Sequence, residues 1–251
     1  MSLVPSIEWT KVSGSSFDND SYGIIVGTDG SIYICGTTRG DLDGQTNSGL
    51  DDAFISKFNS DGDKQWTRFL GTSEKEYGKS ISIGSDGSIY VAGVTKGYLD
   101  EQTYLGGVSD VFISKFNSDG DKQWTKLVGI NGFYSDSDYS RVTSDTDVGI
   151  AIASDDSIYI TGNTLIDLDR EDHNGGYDAF VSKFNSDGDK QWSKLLGTSE
   201  YEFGAAISVS SDGYIYLTGE TSGDLDLNYN WGKEDAFVSK LNSDGDKQWT
   251  R

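Results

Sequence analysis

Proline, cysteine, histidine and methionine are nearly missing from this chain of 251 residues. With one cysteine, Cys35, neither an intrachain disulfide framework nor a CxxC metal site is possible. Its place in the apolar run IYICG (32–36) marks a buried thiol rather than a nucleophile. The one histidine, His173, stands in the loop EDHNGG with no second metal ligand nearby, which argues against a Ser-His-Asp site. No stretch has helical periodicity, and no apolar run approaches the ~20 residues that cross a membrane as a helix. Basic residues are scarce: 20 Lys and Arg face 41 Asp and Glu, a formal charge of −21. Nucleic-acid binding needs a basic footprint, so nucleic acid is discounted as a partner and anionic membrane surfaces are disfavoured, while the lack of a long apolar run discounts membrane insertion. The opening MSLVPSIEW lacks the basic and apolar regions of a signal peptide. Residues 1–6 read as a linker or tag remnant, and a signal on a longer parent chain stays open.

What is present is repetition. The octet NSDGDKQW occurs at Asn59–Trp66 and returns at Asn117–Trp124, Asn185–Trp192 and Asn242–Trp249. Trp9, Trp66, Trp124, Trp192 and Trp249 lie 57, 58, 68 and 57 residues apart. A fixed period of this size means a solenoid, a propeller or an array. Within the octet, Asn and Asp bond their own backbone and Gly supplies positive φ. Asp-Gly between apolar runs is a hairpin signal. The octet therefore reads as a tight turn opening a return strand, in preference to an acidic ligand loop.

Each unit contains four strand signals. In the second they are WTRFLG (66–71), SISIG (80–84), SIYVAGVT (88–95) and DVFISKFN (110–117). Ile81 and Ile83 match Ile24 and Val26, Ile150 and Ile152, and Ile207 and Val209. Tyr33, Tyr90, Tyr159 and Tyr216 share one position, and a Gly follows each three residues later. Apolar side chains fall on both faces of these strands, whereas a sheet with one wet face alternates more cleanly. Four-stranded sheets covered on both faces and repeated radially describe a β-propeller. The expected fold is all-β, a propeller of about four antiparallel blades. It would occupy residues 7–251 as one domain, with units at roughly 9–65, 66–123, 124–191 and 192–248 and a tail at 249–251.

The stretch DAFVSKFNSDGDKQWSKLLGTSEYEFGAAISVSSDGYIYLTGETSG (178–223) resembles the bacterial SBBP β-propeller repeat, with its DAF-type strand and its IYxxGxT strand. The resemblance extends over all four units. It implies the propeller fold and a place in a large secreted or surface bacterial protein. The third unit departs from the pattern: Asp155-Asp156 stands where the others have Asp-Gly, and an insertion occupies 133–147.

The WTK segment at Trp9–Lys11 and the final Trp249-Thr250-Arg251 belong to the same strand position. Closure of a four-blade ring by Ile7–Val12, beside Ala236–Leu241, is expected. That ring would be a monomer; the alternative is an open half-ring that pairs with a second copy. The Asp-Gly turns fall on one side of the blades and the long variable loops on the other. Binding groups concentrate on loops carried by a rigid scaffold, so a site belongs on the long-loop face near the axis.

Three features occupy that face. Asp-Leu-Asp recurs as Asp41 and Asp43, Asp167 and Asp169, and Asp224 and Asp226, with Tyr98-Leu99-Asp100 in the second unit. Oxygen ligands at alternate positions resemble the start of a calcium loop. The alternative is solvated turn carboxylates around anchoring leucines. Asp52, Asp110, Asp178 and Asp235 precede one strand in every unit, as a turn-bonding structural Asp would. Trp231 and Tyr229, with Tyr104 and Tyr177 in related loops, are candidates for stacking a sugar or gripping a protein. The insertion adds Asp136, Asp138, Asp145 and Asp147 as a second possible cation cluster. No anion clamp is legible among the five arginines. The leading reading is a non-enzymatic binding or scaffold module for a protein or glycan. The runner-up is a carbohydrate-active enzyme using two loop carboxylates ~5–9 Å apart.

Overall fold

A computed structural model describes residues 8–103, 109–128, 147–169 and 171–251. It contains sixteen strands in four antiparallel sheets of four. The first sheet is β1 (Asn19–Val26), β2 (Ile32–Thr38), β3 (Asp52–Phe58) and β4 (Lys64–Leu70). The second is β5 (Glu76–Ile83), β6 (Ile89–Thr95), β7 (Asp110–Phe116) and β8 (Lys122–Val128). The third is β9 (Gly149–Ile152), β10 (Ile158–Thr164), β11 (Asp178–Phe184) and β12 (Lys190–Leu196). The fourth is β13 (Glu202–Val209), β14 (Ile215–Thr221), β15 (Asp235–Leu241) and β16 (Lys247–Thr250). The only helical turns among the described residues are two short 3-10 segments, Leu99–Glu101 and Leu225–Leu227. Each sheet is a blade with its strands in chain order. The Trp-bearing strand closes a blade rather than opening one, because the octet turn pairs it back on the strand before it.

The octet makes that hairpin by the expected chemistry. The Asn59 side-chain oxygen accepts the N–H groups of Asp61 and Asp63 at 3.0 and 2.8 Å. Gly62 sits at φ +77°, a conformation that favours glycine. The extra residue slips the β3–β4 register between Lys57 and Phe58. The third unit's departure has a local cause: Asp156 itself adopts φ +61°. Its carboxylate accepts bonds from the Ser85 N–H and hydroxyl of the neighbouring blade, both at 2.8 Å. That tether holds a non-glycine residue in the left-handed region.

Blades cover one another. The strand β5 packs on β1, β2 and β3; β9 packs on β5 and β6; β13 packs on β9, β10 and β11. The apolar core is therefore three clusters, each between two sheets. Between the first two blades lie Cys35 and Ile55 from one side and Ile89, Val91 and Phe112 from the other, all fully buried. Burial pushes the Cys35 thiol up to about 12, which leaves it inert at neutral pH. Each fully buried side chain of this size contributes roughly 1.5–3 kcal/mol.

Polar groups inside the blades are paired by repetition. Ser56 and Thr67 share a buried hydroxyl bond at 2.7 Å, and the same bond recurs at Ser114–Thr125, Ser182–Ser193 and Ser239–Thr250. The tyrosine of the second strand tilts against the blade's Trp at 6.1 Å between Tyr33 and Trp66. The other three blades repeat that contact.

The fourth strand of the last blade is β16, not the N-terminal segment. The five-residue turn after Leu241 makes β16 a local partner of β15, so it takes the place that Ile7–Val12 was expected to fill. Residues 8–12 join no sheet; Trp9 and Lys11 pack instead over Gly62 of the first blade. Contact between the first and fourth sheets is not extensive among the described residues. The four inner strands do converge, around a cleft of about 330 Å³ lined by Tyr22, Ser80, Ile150 and Ala206.

Candidate functional site

The Asp-Leu-Asp turns are structural throughout. Their leucines, Leu42, Leu168 and Leu225, are buried, as is Leu99. The first Asp closes the loop: Asp41 accepts the N–H of Asn47, Asp167 that of His173, and Asp224 that of Asn230, at 2.8–2.9 Å. The second Asp adopts positive φ and turns the other way, onto the outer strand. Asp43 takes Lys64 and Thr67, Asp169 takes Lys190, and Asp226 takes Lys247. Asp100 does the same with Lys122 and Thr125. Burial opposes ionisation of Asp43, but the Lys64 and Thr67 bonds outweigh it and hold its pKa below the ordinary value. The two carboxylates of each pair thus face different partners. Among the described residues no group of three or more His, Cys, Asp or Glu can hold a metal. The calcium expectation does not fit this geometry. Asp136, Asp138 and Asp145 lie outside the described residues.

The recurring Asp that opens the third strand has the expected turn role in the first, third and fourth blades. Asp52 accepts the Ser48 N–H at 2.7 Å, Asp178 the Asn174 N–H at 3.1 Å, and Asp235 the Trp231 N–H at 2.5 Å. The second oxygens of Asp52 and Asp178 are buried without a hydrogen-bond partner among the described residues. Burial raises the pKa of both carboxyls, and Glu202 adds to it at Asp178. Glu76, fully buried beside Asp52, is likewise raised by burial although three bonds from Thr72 and Thr95 oppose it. The hydrogen bonds of Asp52, Glu76 and Asp178 stay within their own blade and the segment that enters it, and these three buried side chains are closed to a substrate.

The aromatic candidates divide. Trp231 is 86% exposed and meets Tyr229 edge-on at 5.5 Å. Both line a cleft of about 580 Å³ on the fourth blade, with Leu227 and Ala236. Tyr177 is buried instead, against Phe203 at 5.3 Å and Tyr201 at 6.4 Å. Its position just before β11 places it under the loop that enters the next blade, so its ring is core and not a binding surface. Tyr104 lies outside the described residues. His173 turns its ring nitrogen onto the Gly176 carbonyl, a loop contact.

The site with convergent chemistry is elsewhere on the long-loop face. The start of β1, the end of β2, the start of β5 and the end of β6 enclose a cleft of about 280 Å³. Asp51 is at its floor, taking Arg39 at 2.9 Å and Lys75 at 3.1 Å, with the Tyr77 hydroxyl donating at 3.3 Å. Burial disfavours the Asp51 anion, yet the Arg39 and Lys75 bonds outweigh burial and lower its pKa. Arg39 also holds Asp18 at 2.9 Å. Lys96 closes the other wall; burial, then the Lys75 charge, push its pKa below the ordinary lysine value. The Thr37 hydroxyl lines the cleft, buried and unbonded among the described residues. Tyr22 completes the rim, under the Lys79 ammonium at 4.1 Å from the ring centre. In sequence these residues are spread from 18 to 96 and share no motif, so only the alignment of four strand ends gathers them. The cleft gathers three cations, Arg39, Lys75 and Lys96, with three carboxylates, Asp18, Asp20 and Asp51.

Sheets that hide one another's faces around an axis, with a polar cleft at the ends of the inner strands, define a β-propeller repeat protein. Residues 191–226 match the SBBP family of beta-propeller repeats. The chain is 28% identical over 211 residues to the regulatory protein FlaEY of Caulobacter vibrioides, a match covering 76% of this chain and 21% of that protein. It therefore spans about a fifth of that relative's length. Among solved structures, a Bacteroides caccae protein of unknown function aligns with TM-score 0.54 at 9% identity, over 95% of this chain and 69% of that one. A polysaccharide lyase, an ulvan lyase, aligns with TM-score 0.50 at 13% identity, over 95% and 61%. At those identities the likeness is one of fold.

Proposed function

We propose that this chain is a non-enzymatic binding module of a secreted or surface bacterial protein, and that it takes an acidic glycan in the cleft between the first two blades. One observation carries this reading: the Arg39, Lys75 and Lys96 cluster beside Tyr22, Tyr77 and the unbonded Thr37 hydroxyl. Arg39 and Lys75 are neutralised by Asp51 and Asp18, which leaves Lys96 without an ion pair among the described residues. A carboxylate placed against Lys96 would favour its ammonium form and so offset the burial that depresses its pKa. Sugar hydroxyls suit the Thr37 hydroxyl and Asp20, and Tyr22 offers a ring face for stacking. The scaffold role also draws support from the buried state of Asp52, Glu76 and Asp178. A glycosidase needs a raised-pKa acid open to the substrate, and these three are sealed at blade junctions.

Titration calorimetry with oligogalacturonate tests the reading. Binding is expected, with at least a tenfold loss in Lys96→Met and in Tyr22→Ala and no change in Trp231→Ala. Binding that ignores Lys96 and Tyr22, or a screen in which only proteins bind, would remove the glycan cleft. Release of shortened sugars during the titration would replace the module with an enzyme.

A further inference from the structure

The three junctions inside the chain use the same two faces each time. On the trailing face, Ile55, Ile113 and Val181 occupy one register position and are all fully buried by the following blade. The fourth blade has Val238 there, 36% exposed, and Ala236 beside it is exposed where Ala53 and Ala179 are fully buried. On the leading face, Ile81 and Ile150 are buried by the preceding blade, whereas Ile24 in the first blade is 70% exposed. Among the described residues the array thus carries one uncovered face of each kind, on its first and fourth blades.

The first blade shows what fits its leading face. Trp66 packs over Gly120, Trp124 over Gly188 and Trp192 over Gly245; in each case the Trp comes from the outer strand of the preceding blade. At Gly62 that place is taken by Trp9, with Lys11 beside it. The segment Glu8–Val12 belongs to no sheet, yet it sits as a preceding blade's outer strand would. Its Trp-Thr-Lys matches the Trp249-Thr250-Arg251 carried at the other end of the array.

The fourth blade shows the complementary seat. Gly49 packs against Thr72 and Gly175 against Ser199, in the segment entering the next blade. Gly232, at the same position, meets nothing nearer than Asp235. Its neighbours Trp231 and Asp235 line the 580 Å³ cleft, together with Leu227. By register, the equivalent of the Thr72 segment at the start of the array is Gly14–Asn19. Ser15 there accepts the Phe17 N–H as Thr72 accepts that of Glu74, and Thr38 donates to Asn19 as Thr95 donates to Glu76.

We infer that these two faces are the halves of one interface, and that a second copy of this chain docks head to tail. Trp249 of one copy takes the place over Gly62 that Trp9 holds in the other, and Phe17 enters the cleft beside Trp231. Trp9, which is 42% exposed, must lift away first. Such a contact is heterologous: it makes a ring if the rotation closes and a filament if it does not.

Light scattering coupled to size exclusion, run over a hundredfold range of concentration, tests this. Wild type is expected to shift from the 27.3 kDa monomer to a dimer or longer series as concentration rises. Ile24→Lys and Val238→Lys alter exposed side chains, so each should leave the circular dichroism and melting curve unchanged while abolishing the shift. Mixing the two variants should restore a dimer, because each keeps the face the other lacks; a symmetric face-to-face pair would gain nothing from mixing. Trp9→Ala should move the shift to lower concentration. A single monomer mass at every concentration, association indifferent to both lysines, or a mixture that stays monomeric would each overturn the inference.

Discussion

Val181 and Val238 occupy the same position in consecutive blades, opposite Thr161 and Thr218. One is fully buried between two sheets; the other is 36% exposed with a blade on one side only. Substituting alanine removes the same two methyl groups from each. At Val181 the lost transfer free energy is about 0.8 kcal/mol per methyl. A residual cavity in a close-packed junction adds to it, at roughly 24 cal/mol per Å³ of volume left open. The expected destabilisation of Val181→Ala is about 2–3 kcal/mol. Val238→Ala keeps solvent on one side, leaves no enclosed cavity, and should cost less than about 1 kcal/mol, as surface changes do. Urea unfolding at a concentration where the protein is monomeric measures both, with the slope compared to confirm that the same surface unfolds. Equal losses at the two valines would refute the claim that a neighbouring blade is what hides each apolar face.

Further outcomes follow from the same structure. Gly93→Ala should unfold the second blade or nearly so, because an added Cβ would meet the Tyr77 carbonyl oxygen and the Phe112 ring at 2.0 and 2.8 Å; expression and thermal melting report it. Asp178 has a raised folded-state pKa, so its contribution to stability is full below its ordinary value of 3.8 and declines as pH rises through the folded value. Asp178→Asn should therefore compare more favourably with wild type at pH 8 than at pH 4 in urea titrations; a pH-independent difference contradicts the buried-acid account. Calcium should not move the melting temperature relative to EDTA, since a ligand that binds only the native state must stabilise it; a rise of several degrees would restore the Asp-Leu-Asp turns as ligands.

Local chemistry decides the parts of this protein that its sequence reveals. The octet's Asn, Asp and Gly specify a bulged hairpin from within eight residues, and the Ile, Tyr and Gly positions repeat because each blade buries the same faces. Strands, turns, blade number and the sides on which short and long loops emerge were all legible for that reason. The Asp that opens β3, β11 and β15 was legible as a turn residue because its partner is four residues away. The Asp-Leu-Asp pattern misled because periodic spacing of carboxylates does not say where they point. Positive φ at the second Asp sends it to a lysine more than twenty residues on. Tyr177 misled similarly, since exposure depends on the loop that crosses above it.

Tertiary structure alone decides the cleft and the ends. Arg39, Asp51, Lys75 and Lys96 meet because four strand ends from two sheets converge, and no local spacing encodes that. Whether Trp9 or Trp249 serves the last blade is a competition between equal sequences, and the short turn before β16 wins it by proximity. Which apolar faces stay bare follows from how blades stack, a property of the whole array that no single repeat contains.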